Sequence, residues 1–212
     1  MGAGQTGWSI MNKSLFATLA LALVSPPAFA QVADPAAGTV HALNSGLLSI
    51  MRAGAGAGQA GRARAIAPVI DRTFDIGLMT RLAVGPGWTT IAPADQTALV
   101  SAFRALTVAQ YAKNFDSYGG ENFTLVPQVE TRGGDKLVRT AIVSKASSEA
   151  LNYRLRLSGG QWKIIDVYYR NAISQLATRR SEFARPLATG GARSLIAHLN
   201  QLAARPGDGG VR

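Results

Sequence analysis

The chain has 212 residues, of which 47% are hydrophobic, and it combines a net charge of +10 with a complete lack of cysteine. The absence of cysteine excludes disulfides, thiolate metal ligands and thiol catalysis. The excess of Lys and Arg over Asp and Glu favours an anionic membrane surface as a partner. Nucleic-acid binding is not expected, because the basic residues are scattered rather than clustered with aromatic residues.

The N-terminal residues have the three parts of a secretory signal peptide in the usual order. Lys13 precedes an apolar run over residues 15–24, and a Pro pair and Ala28-Phe29-Ala30 follow. The run is shorter than the roughly 20 apolar residues that cross a bilayer. We therefore predict a cleavable signal peptide at 1–30 and export to the periplasm. Lys13 is the only charged residue removed, so the mature net charge is +9.

Three helical stretches are predicted next, because apolar residues recur at intervals of three to four. The first spans about 38–52 and is followed by a Gly/Ala-rich segment, 54–61, which we expect to be a flexible loop. The second steps by four residues from Ile66 to Leu82. The third begins at Pro93, which suits the first position of a helix.

From Asn122 the apolar period changes to two, which is typical of half-buried strands. Glycine pairs at 133–134 and 159–160 predict hairpin turns, and 146–149 is expected to join the middle strands. Such short connections leave no room for crossover helices, so the strands should form an antiparallel meander. The four predicted strands lie around 123–129, 138–142, 152–157 and 161–169.

Helical spacing returns after the last strand, with a Gly pair at 190–191 between two stretches. The predicted fold class is α+β, with a four-stranded antiparallel meander sheet covered by N- and C-terminal helices that enclose an apolar pocket. We expect a single domain over 31–205 and a flexible tail over 206–212.

Few residues suggest catalysis or metal binding. His41 and His198 lie near opposite ends of the mature chain without a carboxylate at ligand spacing, so no metal site and no cofactor are expected. Asp166 stands in the last strand among apolar neighbours. It could act as a general base in a pocket, or it could form an ion pair or a helix-cap hydrogen bond that ties the sheet to the helices. Three arginines are possible partners for the ion pair, namely Arg72, Arg81 and Arg180.

Apolar and aromatic residues dominate the elements that would face one another across the sheet and helix layers. Each could belong to an ordinary core or could line a pocket of the kind that recurs where helices cap a concave sheet. The predicted lipid-binding residues are Phe74, Met79, Leu82, Trp88, Phe103, Tyr111, Phe123, Leu125, Val138, Ile142, Tyr153, Leu155, Ile164 and Phe183.

Several segments together resemble the MlaC family, also called the toluene-tolerance auxiliary family, of periplasmic phospholipid carriers. They are PVIDRTFD (68–75), Met79, Arg81, GPGW (85–88), Gln96, Phe103, Tyr111, YRL (153–155), WKIIDV (162–167), Ile173-Ser174, RSEF (180–183) and Gly190-Gly191. Two positions depart from the family pattern, namely Asn171-Ala172 and Arg179. The amino-acid sequence of 173–183 more closely resembles HpnM, the branch of the family associated with hopanoid biosynthesis.

The resemblance implies a carrier without enzymatic activity that holds a phospholipid or hopanoid in its pocket and exchanges it with a membrane-bound transport complex, in the service of outer-membrane lipid homeostasis. We expect it to act as a monomer. Arg139, Arg154 and Arg156 on the polar sheet face could orient it on anionic headgroups. Two alternatives stay open: a small isomerase or hydrolase that uses Asp166, and an exported adaptor without a ligand.

Overall fold

A computed structural model describes residues 34–205 of the chain. The predicted signal peptide, 1–30, and the predicted tail, 206–212, lie outside the described residues. Five α-helices occur within 34–205. They are α1 (Pro35–Ala53), α2 (Gly58–Thr73), α3 (Ile76–Val84), α4 (Pro93–Asn114) and α5 (Gln175–Ala204), with short 3₁₀ turns at Ala55–Ala57 and Gly85–Thr90.

A capping side chain and a proline mark the starts of two of the helices. The Asp34 carboxylate accepts from the Ala36 backbone N–H at 2.9 Å at the start of α1, and Pro93 opens α4 as predicted. The predicted loop over 54–61 is mostly wrong, since only a tight turn separates α1 from α2 and helix resumes at Gly58. Gly54 and Gly58 have positive φ angles of 56° and 60°, so the glycines serve this turn rather than a long flexible loop.

The predicted second helix is divided at Phe74, which is extended and forms a bridge with Ile164. The Asp75 backbone N–H donates to the Ile164 carbonyl at 2.9 Å, and the Asp75 carboxylate accepts from the Leu78 N–H to cap α3. Apolar spacing continues across this break, so periodicity alone does not reveal it. The kink in α5 falls at Gly190–Gly191, where the sequence predicts an interruption.

The sheet has seven strands within the described residues, all antiparallel, rather than the four predicted. Glycine turns at 133–134 and 159–160 confirm the two predicted hairpins. The strands are β1 (Asn122–Leu125), β2 (Glu130–Arg132), β3 (Asp135–Val138), β4 (Thr140–Val143), β5 (Ser148–Ser158), β6 (Gln161–Tyr169) and β7 (Ile173–Ser174).

Two interruptions and one short edge strand account for the difference. Pro127 lies between β1 and β2 and has no N–H to donate to a strand ladder. Arg139 lies between β3 and β4, which pair with successive parts of the same side of β5. Val138 and Thr140 are both buried on either side of Arg139. The alternation of buried and less buried residues therefore continues through the interruption, and the sequence does not show it.

The sheet has two ends that differ in burial. We call β3, residues 153–156 of β5 and residues 161–167 of β6 the packed end, and β1, β4 and residues 148–151 of β5 the open end. The core residues of the packed end are at most 6% exposed, whereas the apolar side chains of the open end are half-buried. Helix α1 contacts β3 and β6, which flank β5 at the packed end.

Candidate functional site

The predicted lipid-binding residues divide into two groups by burial. Eight lie in the hydrophobic core and contact other core side chains. They are Phe74, Met79, Phe103, Val138, Tyr153, Leu155, Ile164 and Phe183. These contacts place them in one interior, and their role in binding a ligand stays a prediction.

The other six predicted residues are half-buried: Leu82, Trp88, Tyr111, Phe123, Leu125 and Ile142. Four of them pack against the core, whereas Leu82 and Ile142 are not in that packed group. Ile142 lies opposite Phe123 in the pairing of β4 with β1, so it belongs to the open end. Leu82 is on α3, and its role in the predicted site stays a prediction.

A row of aromatic side chains leads from the core to the open end. The Phe74 and Tyr111 rings meet edge to face with centroids 5.7 Å apart, and Tyr111 stacks on Phe115 at 5.8 Å. Phe115 in turn lies 6.4 Å from Phe123 on β1. We call these four residues the aromatic row. Phe115 is missing from the predicted set, although its spacing of four from Tyr111 on a helix places both on one face.

The structure does not confirm an enclosed apolar pocket between sheet and helices. Two concavities stand out, and both open to the surface and mix polar with apolar groups. The larger, of about 580 Å³, is lined by Met51, Arg52, Gly54, Ala55, Asp116, Ser117 and Tyr118. The smaller, of about 310 Å³, is lined by Asp71, Phe74, Asp75, Ile76, Val100, Arg104, Ser158 and Lys163. Sequence pattern identifies inward-facing apolar residues, but it does not show whether they touch one another, and here they do.

The arginines of the polar sheet face have carboxylate partners. Arg154 Nε and Arg156 Nε each donate to the buried Asp135 carboxylate at 2.6 Å. The Arg156 hydrogen bond, helped by Arg154, holds the pKa of Asp135 below its usual value. Arg139 Nε donates to Glu130 at 2.8 Å. All three arginines are therefore ion-paired, while their side chains stay 40–43% exposed; their contact with anionic headgroups stays a prediction.

Asp166 is buried and accepts three hydrogen bonds. Its carboxylate binds the Ser174 hydroxyl at 2.7 Å and the backbone N–H groups of Leu176 and Val167 at 3.0 and 2.8 Å. Ser174 also caps α5 by accepting from the Ala177 N–H. Of the two interpretations of Asp166, the hydrogen-bonded tie between β6 and the start of α5 is the one the structure contains, with backbone and hydroxyl donors instead of the expected arginines.

Two buried polar atoms have no hydrogen-bond partner within residues 34–205: the Tyr153 hydroxyl and Asn44 Oδ1. Tyr153 is on β5 in the packed end, and Asn44 is on α1. Sequence alternation identifies Tyr153 as inward-facing. The lack of a partner for its hydroxyl has no signature in the sequence, because it depends on which neighbours pack around it.

In the described part of the chain, no group of three or more histidine and carboxylate side chains could hold a metal ion. None of the helices from α1 to α5 is long and apolar enough to cross a bilayer.

Comparison with known proteins gives the family. No curated protein is significantly similar in sequence. One similar solved structure is a phospholipid-binding protein from Ralstonia solanacearum in complex with a phospholipid, with a TM-score of 0.68 and 22% identity over 81% of this chain and 98% of that one. At this identity the likeness establishes the fold. The family model described as MlaC protein matches residues 42–201, most of the chain. The chain therefore belongs to the MlaC family.

Proposed function

We propose that the protein is a periplasmic carrier that binds a phospholipid or hopanoid-type lipid between its sheet and helices and passes it between membrane-bound partners. Membership of the MlaC family supports lipid binding. The phospholipid bound to the structurally similar Ralstonia protein supports the same ligand class. The proposal includes export by the predicted signal peptide and action without a catalytic step.

The observation that carries the proposal is the open end. Here apolar side chains of β1, β4 and β5 stay half-buried while remaining continuous with the core through the aromatic row. A hydrocarbon chain inserted along this row would complete the burial of these side chains. The open end is also bounded by β1, a four-residue edge strand. Separating so short an edge from the helices breaks few contacts, which suits an entrance.

The energetics allow both retention and release. Burying one CH₂ group is worth about 0.8 kcal/mol, so a long acyl chain offers on the order of 10 kcal/mol. Association costs are estimated at about 4–15 kcal/mol. The two quantities are similar in size, so a modest change in the pocket on contact with a partner shifts the balance between holding and releasing lipid.

A second candidate function is an exported adaptor that acts through its surface. The packing of the core favours it, because the buried apolar side chains of residues 34–205 form one contacting cluster. The enzyme alternative has no such support. The Asp166 carboxylate accepts hydrogen bonds from Ser174 and Leu176 at the start of α5, and Asp166 lines neither concavity.

Mild purification of the exported protein, followed by native mass spectrometry and solvent extraction, separates these functions. The carrier is expected to retain one lipid molecule per chain, and extraction would identify it as a phospholipid or a hopanoid. Protein that carries no lipid, and takes up none from mixed phospholipid and hopanoid vesicles, would favour the adaptor and contradict the carrier.

A matched pair of variants at the C-terminal end of β1 tests the site. Leu125 is half-buried against the core, whereas its neighbour Val126 is 44% exposed. Leu125→Glu places a charge at the proposed entrance and should lower lipid occupancy several-fold, because hydrocarbon would have to desolvate a carboxylate. Val126→Glu should leave occupancy unchanged. Circular dichroism checks that both variants fold, and equal occupancy in the two variants would show that lipid does not enter here.

A further inference from the structure

The two buried polar atoms without partners need a physical explanation. Tyr153 has no exposed surface and Asn44 is 6% exposed. Buried polar side chains in native proteins are nearly always hydrogen-bonded, because an unsatisfied group keeps its desolvation cost without compensation. Phenylalanine at 153 would fill the same space without that cost. A tyrosine at this position therefore indicates that its hydroxyl forms a hydrogen bond in a functional state of the protein, such as the ligand-bound state.

The two atoms lie on the two layers that bound the interior. Tyr153 is on β5 and is flanked by its cross-strand neighbours Val138 on β3 and Val167 on β6. Asn44 is on α1, which packs against both β3 and β6. A ligand lying between the sheet and the helices would have β5 on one side and the helix layer that includes α1 on the other.

The chemistry of the site selects a neutral acceptor. Burial raises the pKa of Tyr153 well above its usual value, and the nearby Tyr111 phenol raises it further. The hydroxyl therefore remains a hydrogen-bond donor at neutral pH. Tyr153 belongs to the apolar core cluster and both of its cross-strand neighbours are valines, so a phosphate group there would be buried without charge compensation. A plain hydrocarbon chain would offer no acceptor at all.

We propose that the Tyr153 hydroxyl donates a hydrogen bond to an ester carbonyl oxygen of the bound lipid. The Asn44 amide, which can present either a donor or an acceptor by rotating about its last bond, binds a second polar atom of the same ester region. The site therefore distinguishes lipids by the bond that links the hydrocarbon chain to the headgroup region, and it selects lipids in which this bond is an ester. This inference rests on the proposed lipid-carrier function.

A pair of lipids that differ only in linkage gives the test. Binding of a diacyl phosphatidylethanolamine is compared with binding of its dialkyl ether analogue of equal chain length, by displacement of a fluorescent fatty-acid probe. The natural protein should prefer the ester by about tenfold, the equivalent of one net hydrogen bond. The Tyr153→Phe variant should bind both lipids equally, with the affinity that the natural protein has for the ether.

Tyr168→Phe is the matched control, because Tyr168 is half-buried on the neighbouring strand β6; it should keep the ester preference. Tyr153→Phe should unfold at the same or a higher temperature than the natural protein. A lower melting temperature would mean that the hydroxyl already has a structural partner such as a buried water, and would overturn the inference. So would equal affinity of the natural protein for ester and ether. Failure to bind either lipid would instead count against the proposed carrier function itself.

Discussion

The packed end and the open end of the sheet share strand β5 but bury its side chains to different degrees. Leu151, Tyr153, Leu155 and Leu157 alternate along β5 and so lie on one face of that strand. Leu151 is half-buried, Tyr153 and Leu155 have no exposed surface, and Leu157 is 54% exposed. A single strand thus contributes both to the stable core and to the proposed entrance. Stability and ligand access are separated by position along the strand.

Matched leucine truncations should give the largest difference between the two ends. Leu155→Ala removes a fully buried side chain and should lower the free energy of unfolding by about 3–5 kcal/mol. Leu151→Ala removes a half-buried one and should cost about 1–2 kcal/mol, because less surface is lost from burial. Urea denaturation measures both.

Leu157→Ala serves as the control for these truncations, and its effect should be within about 0.5 kcal/mol of zero because the side chain is exposed. Equal losses at Leu151 and Leu155 would remove the distinction between the two ends.

A middle-sized effect is expected within the packed end, where Asp166 lies opposite Arg154 on β5. Asp166→Ala leaves the Ser174 hydroxyl and the Leu176 N–H without their acceptor and should cost about 2–3 kcal/mol. Asp166→Asn keeps an acceptor and should cost less. Lipid occupancy of the folded Asp166→Ala protein should stay normal, whereas a selective loss of occupancy in a stable protein would assign Asp166 to the binding site.

The smallest expected effect is on the stability of the protein at acidic pH. Because hydrogen bonds from Arg156 and Arg154 lower the folded-state pKa of Asp135, its contribution to stability is present above the unfolded pKa of about 3.9 and is lost as pH falls through the lower folded value. The arginine side chains are about 40% exposed, so solvent screening limits the contribution to about 1–2 kcal/mol.

Asp135→Asn should therefore destabilise the protein at pH 7 and show a smaller loss of stability between about pH 5 and pH 2 than the natural chain. Thermal unfolding across this pH range measures the difference. The same pH dependence in both proteins would mean that other carboxylates govern acid unfolding.

Sequence periodicity predicted most of the fold, because core residues here follow helix and strand repeats. The start of α4 at Pro93 and the glycine hairpins at 133–134 and 159–160 are confirmed. The breaks at Phe74 and Arg139 were missed. At Phe74 the helix ends because its backbone joins β6, a contact with a residue 90 positions away in the sequence, Ile164. Long-range pairing of this kind leaves the local apolar spacing unchanged.

The candidate site was predicted less well than the fold. The alternation of β3 and β5 correctly gave Val138, Tyr153 and Leu155 as inward-facing. It could not show that these side chains join one contacting cluster, since packing depends on three-dimensional fit. It also did not show that Arg154 and Arg156 share a carboxylate partner, because Asp135 lies about 20 residues earlier, on a neighbouring strand.

The interruption at Arg139 has a consequence for backbone motion. Because β3 and β4 pair with β5 separately, the ladder of β1 and β4 can open without breaking the hydrogen bonds between β3 and β5. Amide protons of 122–125 and 140–143 should therefore exchange with deuterium through local opening, whereas those of 135–138 should exchange only when the whole domain unfolds.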